Sequence, residues 1–334
     1  MIKWNPELYG RSLLSLTDFT DTEMLELVDL AIELKARRRA GVRGDLLQRR
    51  HIALIFEKSS TRTRTSASIA VRDEGGTAEY LSQNDIHLGA KESVKDTARV
   101  LGRTFDGILF RGFSQHRVEI LAKYAGIPVW NGLTDAFHPT QILADLMTIK
   151  ENFGKLKGLK VAYVGDGRNN VANSLMIGCV KAGVNFVNCT PDELMPDPEL
   201  VAEARSMGER NGATVEVVTD PYEGVKGANA IYTDVWVSMG EESEKENRLK
   251  LLRPYQVNMD LVKATGMPES EFIFLHCLPA FHDTETAMSA ESGALEVADD
   301  VFEAPFSKVF DEAENRMHTI KALYVSALAE GAAL

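Results

Sequence analysis

Short apolar runs alternate with helix-patterned stretches from His51 onward, and that alternation restricts the fold more than any other feature of the chain. Residues 51–56, 77–81, 107–110 and 127–130 read as strands, being short and rich in apolar or β-branched side chains. Between them, 91–101 carries Val94, Ala98 and Leu101 at helical spacing. A second series follows at 160–164, 185–189, 214–218, 230–234 and 272–276, again with helices between. Strands that each return through a helix form parallel sheets covered on both faces. The expected class is therefore α/β, with two doubly wound parallel-sheet domains joined by long helices. The polar, glycine-bearing stretch 153–158 follows a strong helix and puts the boundary near residue 151, giving domains 1–150 and 151–316. A length of 334 residues suits two such cores.

Before the first strand, Thr20-Asp21-Thr22-Glu23 is a capping start. Leu25, Val28, Leu30, Ile32 and Leu34 supply that helix's apolar face, and 35–39 a basic, solvated end.

Composition removes several classes of function. A formal net charge of −12 argues against a nucleic-acid surface, so any anion site is a local basic pocket in an acidic field. Three cysteines with no C-x-x-C give neither a disulfide framework nor a zinc pattern. Residues 1–6 lack an apolar core with a cleavage site, and no run reaches membrane-spanning length. The expectation is a cytoplasmic protein with no nucleic-acid or membrane partner.

The strand 51–56 feeds Glu57-Lys58-Ser59-Ser60-Thr61-Arg62-Thr63-Arg64-Thr65-Ser66, which enters a helix. Unpaired N–H groups at a helix start, the helix dipole and an arginine fork together make an anion site. The plainer reading is an N-cap with a solvated basic turn. Arg111 ends the third strand, where ligands meet an open parallel sheet, although an arginine there also serves as an ion-pair partner. In Phe137-His138-Pro139-Thr140-Gln141, Pro139 suits the first helical position, and His138 and Gln141 share one side of the first turn. Histidine can polarise a carbonyl oxygen and glutamine can bond an amide NH2.

In the second half, Gly165-Asp166-Gly167-Arg168-Asn169-Asn170 follows a strand and invites a dinucleotide reading. The third glycine is absent and no acidic residue closes the next strand, which weakens that reading. Asp234 lies at a strand's carboxyl end in Thr233-Asp234-Val235-Trp236-Val237-Ser238-Met239-Gly240 and could hold an ammonium or cap a turn. His276-Cys277-Leu278-Pro279 follows the last strand; a lone cysteine there is commonly a small core residue. A histidine beside it also raises zinc or a nucleophilic thiol, but the spacing does not recur.

Taken together, Ser60-Thr61-Arg62-Thr63-Arg64, Arg111, His138-Pro139-Thr140-Gln141, Gly165-Asp166-x-Arg168-Asn169-Asn170, Ser238-Met239-Gly240, His276-Cys277-Leu278-Pro279 and Glu314-Asn315-Arg316-x-His318 resemble the aspartate and ornithine carbamoyltransferase family, in order and over nearly the whole chain. The Ser-Met-Gly and His-Cys-Leu-Pro stretches resemble its ornithine-type members. The resemblance implies transfer of the carbamoyl group of carbamoyl phosphate to the side-chain amine of L-ornithine, in arginine metabolism, with no metal, nucleotide or other cofactor. It implies that Ser60, Thr61, Arg62 and Thr63 hold the phosphate beside Arg111. Thr63, Arg111, His138 and Arg316 would polarise the carbonyl, and Gln141 and the Leu278 carbonyl would hold the carbamoyl NH2. Asn170, Asp234, Ser238 and Met239 would hold ornithine, with Cys277 beside the reacting amine. The helix 317–334 would pack back on the first domain.

The family further implies a homotrimer, or a higher assembly of trimers, in which the loop 82–93 enters the neighbouring subunit's site. At its tip the family usually has glutamine and this chain has His87. The alternatives are a putrescine carbamoyltransferase, a non-catalytic carbamoyltransferase-like binding protein and a nicotinamide-binding dehydrogenase. The intact Asp234 loop and the presence of Arg62 and Cys277 argue against the first two.

Overall fold

Helix α1 (Asp21–Arg39) starts at the expected capping box: the Thr20 hydroxyl accepts from the Glu23 N–H, and the Glu23 carboxylate accepts from the Thr20 N–H. Its buried stripe is Met24, Leu27, Val28, Leu30, Ala31 and Leu34, whereas the expected Leu25 and Ile32 are only half-buried. Lys35 turns inward instead of lying in a solvated end, and its ammonium donates to Asn315 Oδ1 at 2.7 Å. Arg38 and Arg39 are partly exposed, yet they reach Asp73 and Glu314.

The structure is a computed structural model that describes residues 5–86, 89, 91–237, 244–286, 289–290 and 293–329. The chain forms two units, Met1–Met147 with Glu314–Leu334, and Thr148–Ala313.

In the first unit, strands β1 (His51–Phe56), β2 (Thr77–Ser82), β3 (Gly107–Arg111) and β4 (Val129–Leu133) form one parallel sheet in the order β2-β1-β3-β4. Helices α2 (Thr61–Arg72), α3 (Val94–Leu101) and α4 (Gln115–Ala125) connect them. β4 begins two residues later than the sequence suggests. Pro128 has no N–H to give the ladder, and its carbonyl instead accepts from Ile108 N. One core cluster joins Ala53, Ile55, Ile108, Phe110, Val118, Leu121 and Val129. Such apolar side chains contribute about 1.5–3 kcal/mol each on burial. Trp130 packs on Tyr324 of the helix Val309–Leu328 with ring centroids 4.7 Å apart.

Helix α5 (Pro139–Phe153) leads into the second unit, where β5 (Lys160–Val164), β6 (Asn185–Cys189), β7 (Val215–Val218), β8 (Ala230–Thr233) and β9 (Ile273–His276) are all parallel in the order β7-β6-β5-β8-β9. Helices α6 (Asn170–Lys181) and α7 (Pro198–Asn211) are among its crossovers. Val164, Val187, Ile231, Trp236 and Phe274 belong to one buried cluster. β8 stops before Asp234, whose own carboxylate takes the Val235 N–H at 2.8 Å. This is the α/β class expected, with two doubly wound parallel sheets. In each sheet the strand order reverses once, between β1 and β3 and between β5 and β8. Those reversals open crevices at the strands' carboxyl ends.

Candidate active site

The first unit's crevice is lined from three directions. Ser60 is the N-cap of α2, its hydroxyl accepting from Thr63 N at 3.2 Å. Thr61 is exposed, Arg62 half-buried and Thr63 buried. Of the two arginines in this turn, Arg62 contributes to the positive field around His138, while Arg64 turns out over the Tyr80 ring, 3.8 Å from its centroid. Arg111 enters from the end of β3. The β3–β4 register shifts between Phe110 and Arg111 and leaves Gly132 as the extra residue. A bulge there re-aims the strand end. A Cβ on Gly132 would lie 2.9 Å from Leu109 Cδ2 and 3.1 Å from the Phe110 carbonyl oxygen, so a larger residue there would press on both.

The Thr63 hydroxyl accepts from Arg111 Nη1 at 3.2 Å and from Arg316 Nη2 at 3.0 Å. Arg316 Nη1 donates to Gln141 Oε1 at 2.5 Å, and Gln141 Nε2 donates to Asp145 Oδ1 at 2.8 Å. The buried residues Thr63, Arg111, Gln141, Asp145 and Arg316 thus form one continuous network. His138 is buried beside it, one residue ahead of α5. Burial first, then the charges of Arg316, Arg111 and Arg62, hold its imidazole well below the ordinary histidine value. The ring is therefore neutral at physiological pH and keeps one N–H to donate. Two buried guanidiniums, a half-buried third and a neutral imidazole suit an anion with a polarisable carbonyl oxygen.

The second unit's crevice is built around Asp234. Its Oδ2 accepts from Asn169 Nδ2 at 3.1 Å, and its Oδ1 accepts from Cys277 Sγ at 3.0 Å. These donors are neutral, which leaves the carboxylate's charge available to an ammonium. Asn170 is the first residue of α6, and its carbonyl accepts from the Ser174 hydroxyl. Leu278 lies in the left-handed region at φ 57°, unusual for a non-glycine residue, with its N–H held by His276 Nδ1 at 2.9 Å. His276 Nε2 faces Glu296 Oε1 at 3.2 Å. Asp234, His276 and Cys277 bring ligand-type atoms within 4.8 Å of one another. Both imidazole nitrogens and the thiol are nevertheless engaged in these hydrogen bonds, so the cluster is a hydrogen-bond network as it stands.

The glycine pair after β5 has a packing explanation. Gly167 N donates to Thr190 Oγ1 at 2.9 Å, and a Cβ on Gly167 would meet Thr190 at 2.7 Å. That N–H is spent on the neighbouring strand end, which further weakens the dinucleotide reading. His87, Ser238 and Met239 lie outside the described residues.

Sequence reasoning missed Asp145, Asn169, the buried Asp166–Arg248 pair and two wholly buried carboxylates, Glu296 and Glu312. Glu312 takes His276 N and the Tyr232 hydroxyl. The one sequence signal was spacing: Asp145 stands four residues after Gln141, on the same helical face.

Comparison with known proteins agrees with this chemistry. Residues 11–151 match the family model described as aspartate/ornithine carbamoyltransferase, carbamoyl-P binding domain. Residues 157–327 match the one described as aspartate/ornithine carbamoyltransferase, Asp/Orn binding domain. The chain is 54% identical over 329 residues to a protein of Bacillus licheniformis named catabolic ornithine carbamoyltransferase, covering 97% of this chain and 98% of the relative. It is 52% identical over 330 residues to one of the same name from Enterococcus faecalis, covering 97% of each. Among solved structures it is similar to ornithine carbamoyltransferase from Pyrococcus furiosus, with a TM-score of 0.90 and 45% identity over 96% of this chain and 98% of that one.

Proposed function

We infer the reaction from one premise, that the chain belongs to the aspartate/ornithine carbamoyltransferase family. It transfers the carbamoyl group of carbamoyl phosphate to the side-chain amine of L-ornithine, giving L-citrulline and phosphate. Relatives named for ornithine at 52% and 54% identity over nearly full length support that substrate over aspartate. The observation that carries an amino-acid acceptor is Asp234, a buried carboxylate held by neutral donors and suited to an α-ammonium.

The roles follow from what each group can do. The phosphate binds the start of α2 through Ser60, Thr61, Arg62 and Thr63, with Arg111 beside it. The amine's lone pair attacks the carbonyl carbon, charge builds on the carbonyl oxygen, the C–O bond to phosphate breaks, and the new amide nitrogen gives up a proton to the departing phosphate. Thr63, Arg111, Arg316 and neutral His138 stabilise the oxyanion. Gln141 and the Leu278 carbonyl hold the carbamoyl NH2. Asp234 takes the α-ammonium, which leaves the side-chain amine as the nucleophile, and Asn170, Ser238 and Met239 complete that end. Cys277 lies beside the amine and forms no covalent intermediate. Orientation and charge stabilisation supply the rate.

The finer reading is a cytoplasmic homotrimer, or an assembly of trimers, whose 82–93 loop carries His87 into a neighbour's site. Among the described residues no helix is long and apolar enough to cross a membrane. The catabolic names of the relatives favour work in arginine breakdown. The deciding experiment measures citrulline and carbamoylputrescine formation side by side, for the wild type and Arg62→Ala. Citrulline should dominate, and the variant should lose carbamoyl phosphate binding by about 2–5 kcal/mol while ornithine binding changes little. Equal use of putrescine, or a near-normal carbamoyl phosphate KM in the variant, overturns the assignment.

A further inference from the structure

We propose that Asn169 is a positioning residue that sets how tightly the second unit holds the amino-acid end of its substrate, by fixing the plane of the Asp234 carboxylate. The proposal rests on the assignment of Asp234 to the α-ammonium.

Asn169 is the N-cap of α6, in extended backbone geometry at φ −60° and ψ 148°. Its Oδ1 accepts from the Val171 N–H at 2.6 Å, which satisfies one of the donors a helix start leaves open. With the amide oxygen committed to the helix, the NH2 must face the other way, and Nδ2 donates to Asp234 Oδ2 at 3.1 Å. One planar amide is therefore engaged at both ends. The helix orients the amide, and the amide orients the carboxylate.

The bond ties the turn after β5 to the end of β8, across the reversal of strand order and 65 residues apart in sequence. The donors on the other carboxylate oxygen, Cys277 Sγ and the Val235 N–H, leave Oδ2 to Asn169. Carboxylate torsions of this kind are broad and roughly two-fold, so bonds to one oxygen alone hold the plane weakly. Asparagine also adds no charge. An arginine or lysine at position 169 would hold the carboxylate and at the same time neutralise what the ammonium needs.

Capping alone does not account for the asparagine. Serine and aspartate cap helices about as well. Serine ends at a single oxygen, too short to bond the helix and Asp234 together. Asn169→Ser therefore separates the two tasks, keeping the cap and removing the bond to Asp234. Asn169→Ala removes both.

The test compares the full-length wild type with Asn169→Ser and Asn169→Ala, by thermal unfolding and by initial rates with each substrate varied. Asn169→Ala should lower Tm further than Asn169→Ser, because it removes the cap as well as the bond to Asp234. Both variants should raise the ornithine KM about tenfold, the loss expected for one hydrogen bond to a charged group. The carbamoyl phosphate KM should stay unchanged. A wild-type ornithine KM in Asn169→Ser, or equal rises in both KM values, overturns the proposal. A second readout needs no turnover: L-norvaline has ornithine's amino-acid end without its side-chain amine, and its binding is followed by tryptophan fluorescence with carbamoyl phosphate present. If the wild type binds L-norvaline and Asn169→Ser binds it about tenfold more weakly, the positioning role stands even if no citrulline forms and the assigned reaction fails. If both bind it equally, the positioning role fails while the reaction is untouched. A wild type that neither binds L-norvaline nor forms citrulline overturns both.

Discussion

Arg316 donates to the Thr63 hydroxyl at 3.0 Å across 253 residues of sequence, and Arg111 shares the same oxygen at 3.2 Å. One small hydroxyl thus sets the spacing of two buried guanidiniums. Thr63→Val keeps the side chain's shape and removes the acceptor. The expected loss of stability is about 1–3 kcal/mol, with weaker carbamoyl phosphate binding. Urea denaturation and initial rates check both, and an unchanged urea midpoint would show the hydroxyl to be idle.

Asp234→Ala removes the buried carboxylate that Asn169 and Cys277 hold. The variant should weaken ornithine binding by about 2–5 kcal/mol, because the carboxylate assigned to the α-ammonium is gone, and leave the carbamoyl phosphate KM unchanged. Initial rates with each substrate varied in turn measure both. An unchanged ornithine KM would remove Asp234 from substrate recognition.

Cys277 donates its S–H to Asp234 at 3.0 Å. A thiol that serves only as a neighbour tolerates Cys277→Ser with slower turnover and weaker ornithine binding. Intact-mass measurement of the quenched wild type should show no carbamoyl adduct. An inactive serine variant together with a trapped adduct would make the thiol a nucleophile.

The Asp166–Arg248 pair is almost wholly buried, and Arg248 Nε also donates to the Trp236 carbonyl at 2.7 Å. Arg248→Met leaves Asp166 charged and buried without that partner, which should destabilise the protein by about 3–5 kcal/mol. Adding Asp166→Asn should recover part of the loss, since it removes the stranded charge. A double variant no better than the single one would place the energy in the Trp236 contact instead.

His318 gives the folded state a pH dependence. Burial pushes its imidazole down to about 4 from an ordinary 6.5, against the opposing pull of Glu314 Oε1 at 3.2 Å. The unfolded chain takes this proton near 6.5 and the folded chain only near 4, so the unfolded state binds more protons between those values. Stability should therefore fall as pH drops from 6.5 towards about 4. His138, shifted in the same direction, adds to the fall. Urea midpoints at pH steps across that window should decline less steeply for His318→Gln than for the wild type. Parallel declines would mean that His318 does not titrate as described.

Much of this was legible in the sequence because it is local. The alternation of strand and helix patterns gave the two parallel sheets, since period and length are properties of short windows. The Ser60–Thr63 turn, Arg111 and the His138–Gln141 helix start were visible because each sits where a strand ends or a helix begins. What was hidden depends on partners far along the chain. Nothing near Arg248 announces Asp166, and nothing near Asn315 announces Lys35. The inward turn of Lys35 was missed for that reason: its acceptor lies 280 residues away. Asn169 was overlooked because the resemblance pointed to Asn170 alone, and only the approach of β8 shows what Asn169 holds.

The first unit is not one stretch of chain: Met1–Met147 is completed by Glu314–Leu334, with all of Thr148–Ala313 between. During synthesis on a ribosome, residues 1–147 emerge well before Arg316 exists, whereas the second unit is finished by residue 313. The Thr63 hydroxyl waits through 253 residues of translation for its second guanidinium. A nascent chain, or a fragment stopped at Ala313, therefore carries every residue around Asp234 but not the full set of cations around Thr63. The order of manufacture completes the second unit's crevice first and the first unit's last.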